Sequence, residues 1–91
     1  MTNDTLILHS KDNVATVLKE IAEGTELEIE IEGKKFTIKA IKKIPIYHKI
    51  AIKDLKIGTP VLKYGEVIGI VKKEIKKGDH VHRKNIKSTF V

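Results

Sequence analysis

Glu26-Leu27-Glu28-Ile29-Glu30-Ile31-Glu32 alternates charged and aliphatic residues without a break, and Lys35-Phe36-Thr37-Ile38-Lys39-Ala40 resumes a period of two just after Gly33. That period belongs to a strand with one wet and one buried face, and a helix cannot use it. With Glu32-Gly33-Lys34 between them, the two runs predict an antiparallel hairpin. Its inner face is Leu27, Ile29, Ile31, Phe36, Ile38 and Ala40, and its outer face sets glutamates opposite lysines. The hairpin also reinterprets the charge. Residues 1–33 hold eight acids against two lysines, whereas residues 34–91 hold sixteen bases against four acids, within a formal net charge of +6. Pairing the two runs brings much of this asymmetry onto one sheet. Arg83 is the sole arginine, and the aromatics are Phe36, Tyr47, Tyr64 and Phe90. The bidentate readers and stacking platforms of a nucleic-acid binder are therefore scarce, and nucleic acid is not the expected partner.

The rest of the chain predicts a mainly β molecule with one short helix. Thr5-Leu6-Ile7-Leu8-His9 reads as a strand. Ser10 and Asp12 are N-cap residue types, and Val14, Val17, Leu18 and Ile21 follow at i, i+3, i+4 and i+7, so residues 12–23 read as a helix closed by Gly24. In the second half, Lys53-Asp54-Leu55-Lys56-Ile57-Gly58 recurs as Lys73-Glu74-Ile75-Lys76-Lys77-Gly78, and Lys19-Glu20-Ile21-Ala22-Glu23-Gly24 is a fainter copy. Acid, aliphatic, two residues, glycine suits a tight turn that plugs a core and then enters a strand. Val61 to Gly69 reads as a second hairpin turning at Gly65-Glu66. Ninety-one residues with 41% apolar content make one domain over residues 1–91, too small for a deep, walled active site. With no cysteine, thiol catalysis and cysteine-based zinc sites are excluded. No apolar run is long enough for a membrane span, and no signal pattern opens the chain, so the expected location is the cytoplasm.

The residues that could carry chemistry are few. His80-Val81-His82 places two imidazoles two apart, on the same side if the segment is a strand, where they could share a metal or meet an anionic substrate. As metal ligands they are two short of a structural zinc site. His48-Lys49 falls in a loop before an apolar strand, which makes His48 an acid/base or anion-binding candidate. Lys63-Tyr64 beside Gly65 offers an ammonium and a phenol to a carboxylate. Walker loops, dinucleotide-binding glycine motifs, nucleophile elbows and HExxH are all absent. The residues alone thus describe a small β domain with a His/Lys-decorated surface and an incomplete catalytic set.

Taken in order, His9-Ser10-Lys11-Asp12-Asn13-Val14-Ala15, Tyr47-His48-Lys49-Ile50-Ala51, Lys63-Tyr64-Gly65-Glu66-Val67-Ile68-Gly69 and Gly78-Asp79-His80-Val81-His82-Arg83-Lys84-Asn85 resemble the SAF domain of altronate and galactarate dehydratases and the small subunit of sulfolactate sulfo-lyase. The resemblance implies a β-clip fold, in which a long bent hairpin doubles back on itself. It implies that a chain ending at Val91 is the separate small subunit of a two-component sugar-acid hydro-lyase or sulfo-lyase. Such a chain would be inactive alone and would work beside a large catalytic dehydratase-like subunit and a divalent metal, iron or manganese. By the same resemblance His48, His80 and His82 are catalytic candidates, and Lys49, Lys63, Tyr64 and Asn85 are substrate-binding ones. His80 and His82 are the candidate metal ligands. Tyr47 stands where the family has glycine, and Lys84 where it has a third histidine. The alternative is a stand-alone sugar-acid-binding or metal-binding SAF module without catalysis, and in either case self-association through open sheet edges is an expectation.

Overall fold

A computed structural model describes residues 5, 6 and 10–88. Among these residues nine strands run in the order β1 (Thr5–Leu6), β2 (Val14–Val17), β3 (Glu26–Ile31), β4 (Lys34–Lys39), β5 (Lys49–Ala51), β6 (Pro60–Lys63), β7 (Glu66–Val71), β8 (His80–Val81) and β9 (Ile86–Ser88). They form a four-stranded sheet β1-β2-β5-β8, the two-stranded ribbon β3-β4, and a three-stranded sheet β6-β7-β9. All pairings are antiparallel. This is the mainly β architecture expected, and it is consistent with a β-clip.

The helix predicted over residues 12–23 is not present; β2 occupies its centre. Val14, Ala15, Thr16 and Val17 are all buried, because β2 lies between two cores. Val14 packs with Ala51, Leu55, Val61, Val71, Ile75, Val81 and Ile86, whereas Ala15 and Val17 pack with Leu27, Ile29, Ile38, Ile44 and Ile50 on the other face. A strand buried on both faces has no polar alternation to betray it, and its apolar run fits helical spacing by coincidence. Leu18, assigned to the same stripe, is exposed. Gly24 terminates no helix; it is a turn residue at φ 88°. The strand predicted at residues 5–9 survives as β1 at Thr5–Leu6, while residues 7–9, His9 among them, lie outside the described residues.

The hairpin from 26 to 39 follows the alternation closely, with Leu27, Ile29 and Ile38 buried and Ile31 and Phe36 packed at the edge of their cluster. Its turn is Glu32-Gly33, both at positive φ. The second hairpin turns at Tyr64-Gly65, one residue earlier than predicted, because Lys63 pairs with Glu66. Tyr64 and Gly65 have φ of 56° and 77°, the requirement of a two-residue turn that matches the right-handed strand twist.

The internal repeat has four copies rather than three. In each, an aliphatic bridges to another copy: Ile21 with Ile44, and Leu55 with Ile75. Three residues later comes a left-handed residue, in turn Gly24, Tyr47, Gly58 and Gly78. Its N–H donates to a neighbouring strand end: Gly24 to Ala40, Tyr47 to Val17, Gly58 to Val71 and Gly78 to Ala51, at 2.7–2.9 Å. The residue after it closes an i to i+3 turn at about 3 Å in every copy. Copies one and three lead into the hairpins β3-β4 and β6-β7; copies two and four lead into β5 and β8, which lie side by side.

Candidate functional site

Because β5 and β8 are antiparallel neighbours, with Lys49 opposite Val81 and Ile50 opposite His80, the turns of copies two and four bring their histidines together. His48 Nδ1 lies 2.8 Å from His80 Nε2, so one imidazole donates to the other. The rings of His80 and His82 stack with centroids 4.2 Å apart and planes 15° apart. Residues 48, 80 and 82 therefore form one continuous imidazole surface although 32 residues separate the first two. The spacing of two in His80-Val81-His82 does place both rings on one side, while Val81 is fully buried in the second core.

Burial pushes the His80 imidazole down to about 4, with the charges of His82, His48 and Lys49 acting in the same direction and Asp79 opposing them. At neutral pH His80 is uncharged and serves as a proton acceptor or a single donor. His82 is also shifted down, first by desolvation and then by Lys84, His48 and Lys42. Asp79 is buried; its carboxylate accepts the His80 backbone N–H at 2.8 Å and pairs with Lys42 Nζ at 3.4 Å.

Lys49 sits on the opposite face of β5 from Ile50, beside the second core. Its ammonium is shifted down, chiefly by burial and then by the charge of Lys63. Lys49 and Arg83 border two adjoining pockets. One, of about 510 Å³, is lined by Tyr47, His48, Lys49, His82, Arg83 and Lys84. The other, of about 370 Å³, is lined by Lys49, Lys63, Ile68, Arg83, Ile86 and Ser88. Neither lining contains a carboxylate. Cations gathered this way are suited to small anions.

The remaining candidates divide between lining and scaffold. Lys63 faces the second pocket, and its Nζ lies 5.0 Å from the centroid of the Tyr64 ring. Asn85 is buried: its amide donates to the His80 carbonyl at 2.8 Å and its Oδ1 accepts the His82 N–H at 2.9 Å. It clamps the chain on both sides of Val81 and so aims the two rings. Asp12, an N-cap type in the sequence, instead accepts the N–H groups of Tyr64 and Gly65 at 2.9 and 2.8 Å, which fixes the hairpin turn. Asn13 ties the same hairpin down through Pro60 and Leu62. Arg83 and Tyr47 were not among the sequence candidates. Only the β5-β8 pairing, joining segments more than 30 residues apart, puts both at the pocket.

The imidazoles do not form a ligand set for a metal by themselves. His80 Nε2 is occupied by His48, and two rings in nearly parallel planes cannot direct in-plane lone pairs onto one ion about 2 Å from each. Among the described residues, no three His, Asp or Glu side chains gather around one point suited to a cation. Also among them, no helix is long and apolar enough to cross a membrane.

Residues 3–89 match the family model described as the altronate/galactarate dehydratase SAF domain. The chain is 36% identical over 83 residues to altronate dehydratase of Escherichia coli (strain K12), covering 91% of this chain but 16% of that enzyme. It is 33% identical over 88 residues to (2R)-sulfolactate sulfo-lyase subunit alpha of Chromohalobacter salexigens, covering 90% of this chain and 92% of the subunit. The subunit alpha of Paracoccus pantotrophus is 42% identical over 57 residues, 63% of this chain and 85% of its own length. The match of residues 3–89 to the family model, with relatives of this identity and coverage, places the chain in the altronate/galactarate dehydratase SAF-domain family.

Proposed function

We propose that this chain is the small subunit of a two-component lyase acting on a small hydroxy or sulfo acid, and that its two joined pockets meet the substrate at the interface with a large catalytic subunit. The observation that carries the reading is the convergence of His48 and His82 with Lys49, Arg83 and Lys84 around an open pocket, with His80 set between the two imidazoles behind it. The near full-length match to sulfo-lyase alpha subunits supports the subunit role.

Elimination of a β-leaving group requires loss of a proton α to a carboxylate and stabilisation of the resulting enediolate. Lys49, Lys63 and Arg83 are placed to hold an acid group of the substrate and offset its charge. His48, its ring fixed by the contact to His80, can act as general acid. Its imidazolium form gives a proton to the departing hydroxide, which leaves as water, while the proton lost from the α carbon goes to a base of the companion. The neutral ring is reprotonated from solvent before the next cycle. Asn85 and Asp79 act through the backbone that carries these rings. Because the imidazoles of this chain do not converge on one ion, holding the divalent ion falls to the companion. An open pocket on so small a domain excludes water only when a second surface covers it.

The test is reconstitution. The isolated chain should turn over none of altronate, galactarate or sulfolactate, and adding the large companion should produce turnover of one of them. Full activity from this chain alone overturns the proposal. Saturable binding of an acid with no turnover in the assembled pair assigns it instead to a binding module.

A further inference from the structure

Four equivalent turns each need one residue in the left-handed region, and three of them use glycine. The fourth uses Tyr47, at φ 67°. Its backbone does what the glycines do, donating to Val17 at 2.9 Å just as Gly24, Gly58 and Gly78 donate to their own partners. A side chain in this region carries strain that glycine avoids. Among the described residues the other two non-glycine residues with positive φ, Glu32 and Tyr64, sit in two-residue hairpin turns, each followed by a glycine. In return for its strain Tyr47 adds nothing to either core, being 68% exposed. What the ring does is wall the pocket beside His48, Lys49 and Arg83. Strain held at an exposed residue on a pocket rim points to a ligand contact.

We infer that Tyr47 is a ligand-contacting, specificity-determining residue of this pocket, its phenol ring flanking the carbon chain of a small organic acid whose charge rests on Lys49, Arg83 and Lys84. This deepens the lyase reading and rests on it for the identity of the ligand class. The cations alone recognise charge and so hold any small anion. The ring adds apolar contact along a carbon chain and a hydroxyl for hydrogen bonding, neither of which an inorganic ion can use fully.

The test compares wild type, Tyr47→Gly and Tyr47→Phe in the full chain by NMR titration with galactarate, altronate, sulfolactate and inorganic sulfate, together with thermal unfolding. Tyr47→Gly should leave Tm unchanged or raise it by up to about 8 °C, the shift of a domain this size for a modest relief of strain. It should weaken binding of at least one organic acid about tenfold and leave sulfate within about twofold. Tyr47→Phe should lie between, and its deficit reads the hydroxyl. A Tm lowered by more than about 4 °C shows that the ring supports the fold, and equal changes for sulfate and the acids show that it does not select the ligand; either overturns the inference. So does the absence of saturable binding of all three acids to wild type. Tyr47-dependent binding without turnover in the assembled pair would instead leave the inference standing and overturn the lyase reading.

Discussion

His80 is neutral where most surface histidines are partly charged, because β8 holds it half-buried between two other imidazoles. An unfolded histidine takes up its proton near pH 6.5, while the folded His80 stays unprotonated down to about 4. Between those values the unfolded chain binds more protons, so stability falls as pH drops from about 6.5 towards 4 and levels off below. His82, shifted the same way, adds to the slope, whereas Asp79 beside them opposes it. Urea midpoints at pH 7.5, 5.5 and 4 should therefore decline, and His80→Gln should flatten that decline; an unchanged slope in the variant would assign the acid sensitivity to other groups. The pairing of His80 with His82 is legible at this scale, since a spacing of two on a strand puts both on one side. The hydrogen bond to His48 is not, because nothing local connects residues so far apart.

At the scale of elements, the four turns separate what glycine contributes by conformation from what it contributes by size. Gly24 and Gly58 have open space where a Cβ would stand, so only their positive φ resists substitution. At Gly78 a Cβ would run into the Lys39 carbonyl, on backbone that cannot yield cheaply. Gly58→Ala should cost about 1–2 kcal/mol, the penalty of a left-handed alanine. Gly78→Ala should cost clearly more and disturb β8, read from denaturant midpoints and from the His80 and His82 NMR signals. Equal costs would mean that the contact at Lys39 relaxes freely. Three copies of this element stand out in the sequence by acid, aliphatic and glycine. The copy from Ile41 to Lys49 is hidden because Tyr47 replaces the glycine and Lys43 the acid. β2 was missed for a different reason: a strand between two cores buries every residue, and the period that identifies a strand disappears.

For the whole molecule, two cores lie on either side of β2 and β5, and the two pockets meet at the edge of that shared layer, with Lys49 and Arg83 common to both linings. Lys49 links them, anchored beside the second core while its charge borders both pockets. A half-buried ammonium near Lys63 costs the fold stability, so Lys49→Met should raise Tm by a few degrees while raising KM of the proposed two-subunit lyase about tenfold or more. A lower Tm with unchanged KM would make Lys49 a structural residue. What the chain's own order of residues decides is local: alternation makes the β3-β4 hairpin, and glycine spacing makes three of the turns, because each depends on neighbours a few positions apart. Which turns meet, which histidines touch, and whether Tyr47, Lys49 and Arg83 share a pocket depend on antiparallel pairing between β5 and β8. Contacts across more than 30 residues are chosen by the packing of two cores, which no local period encodes.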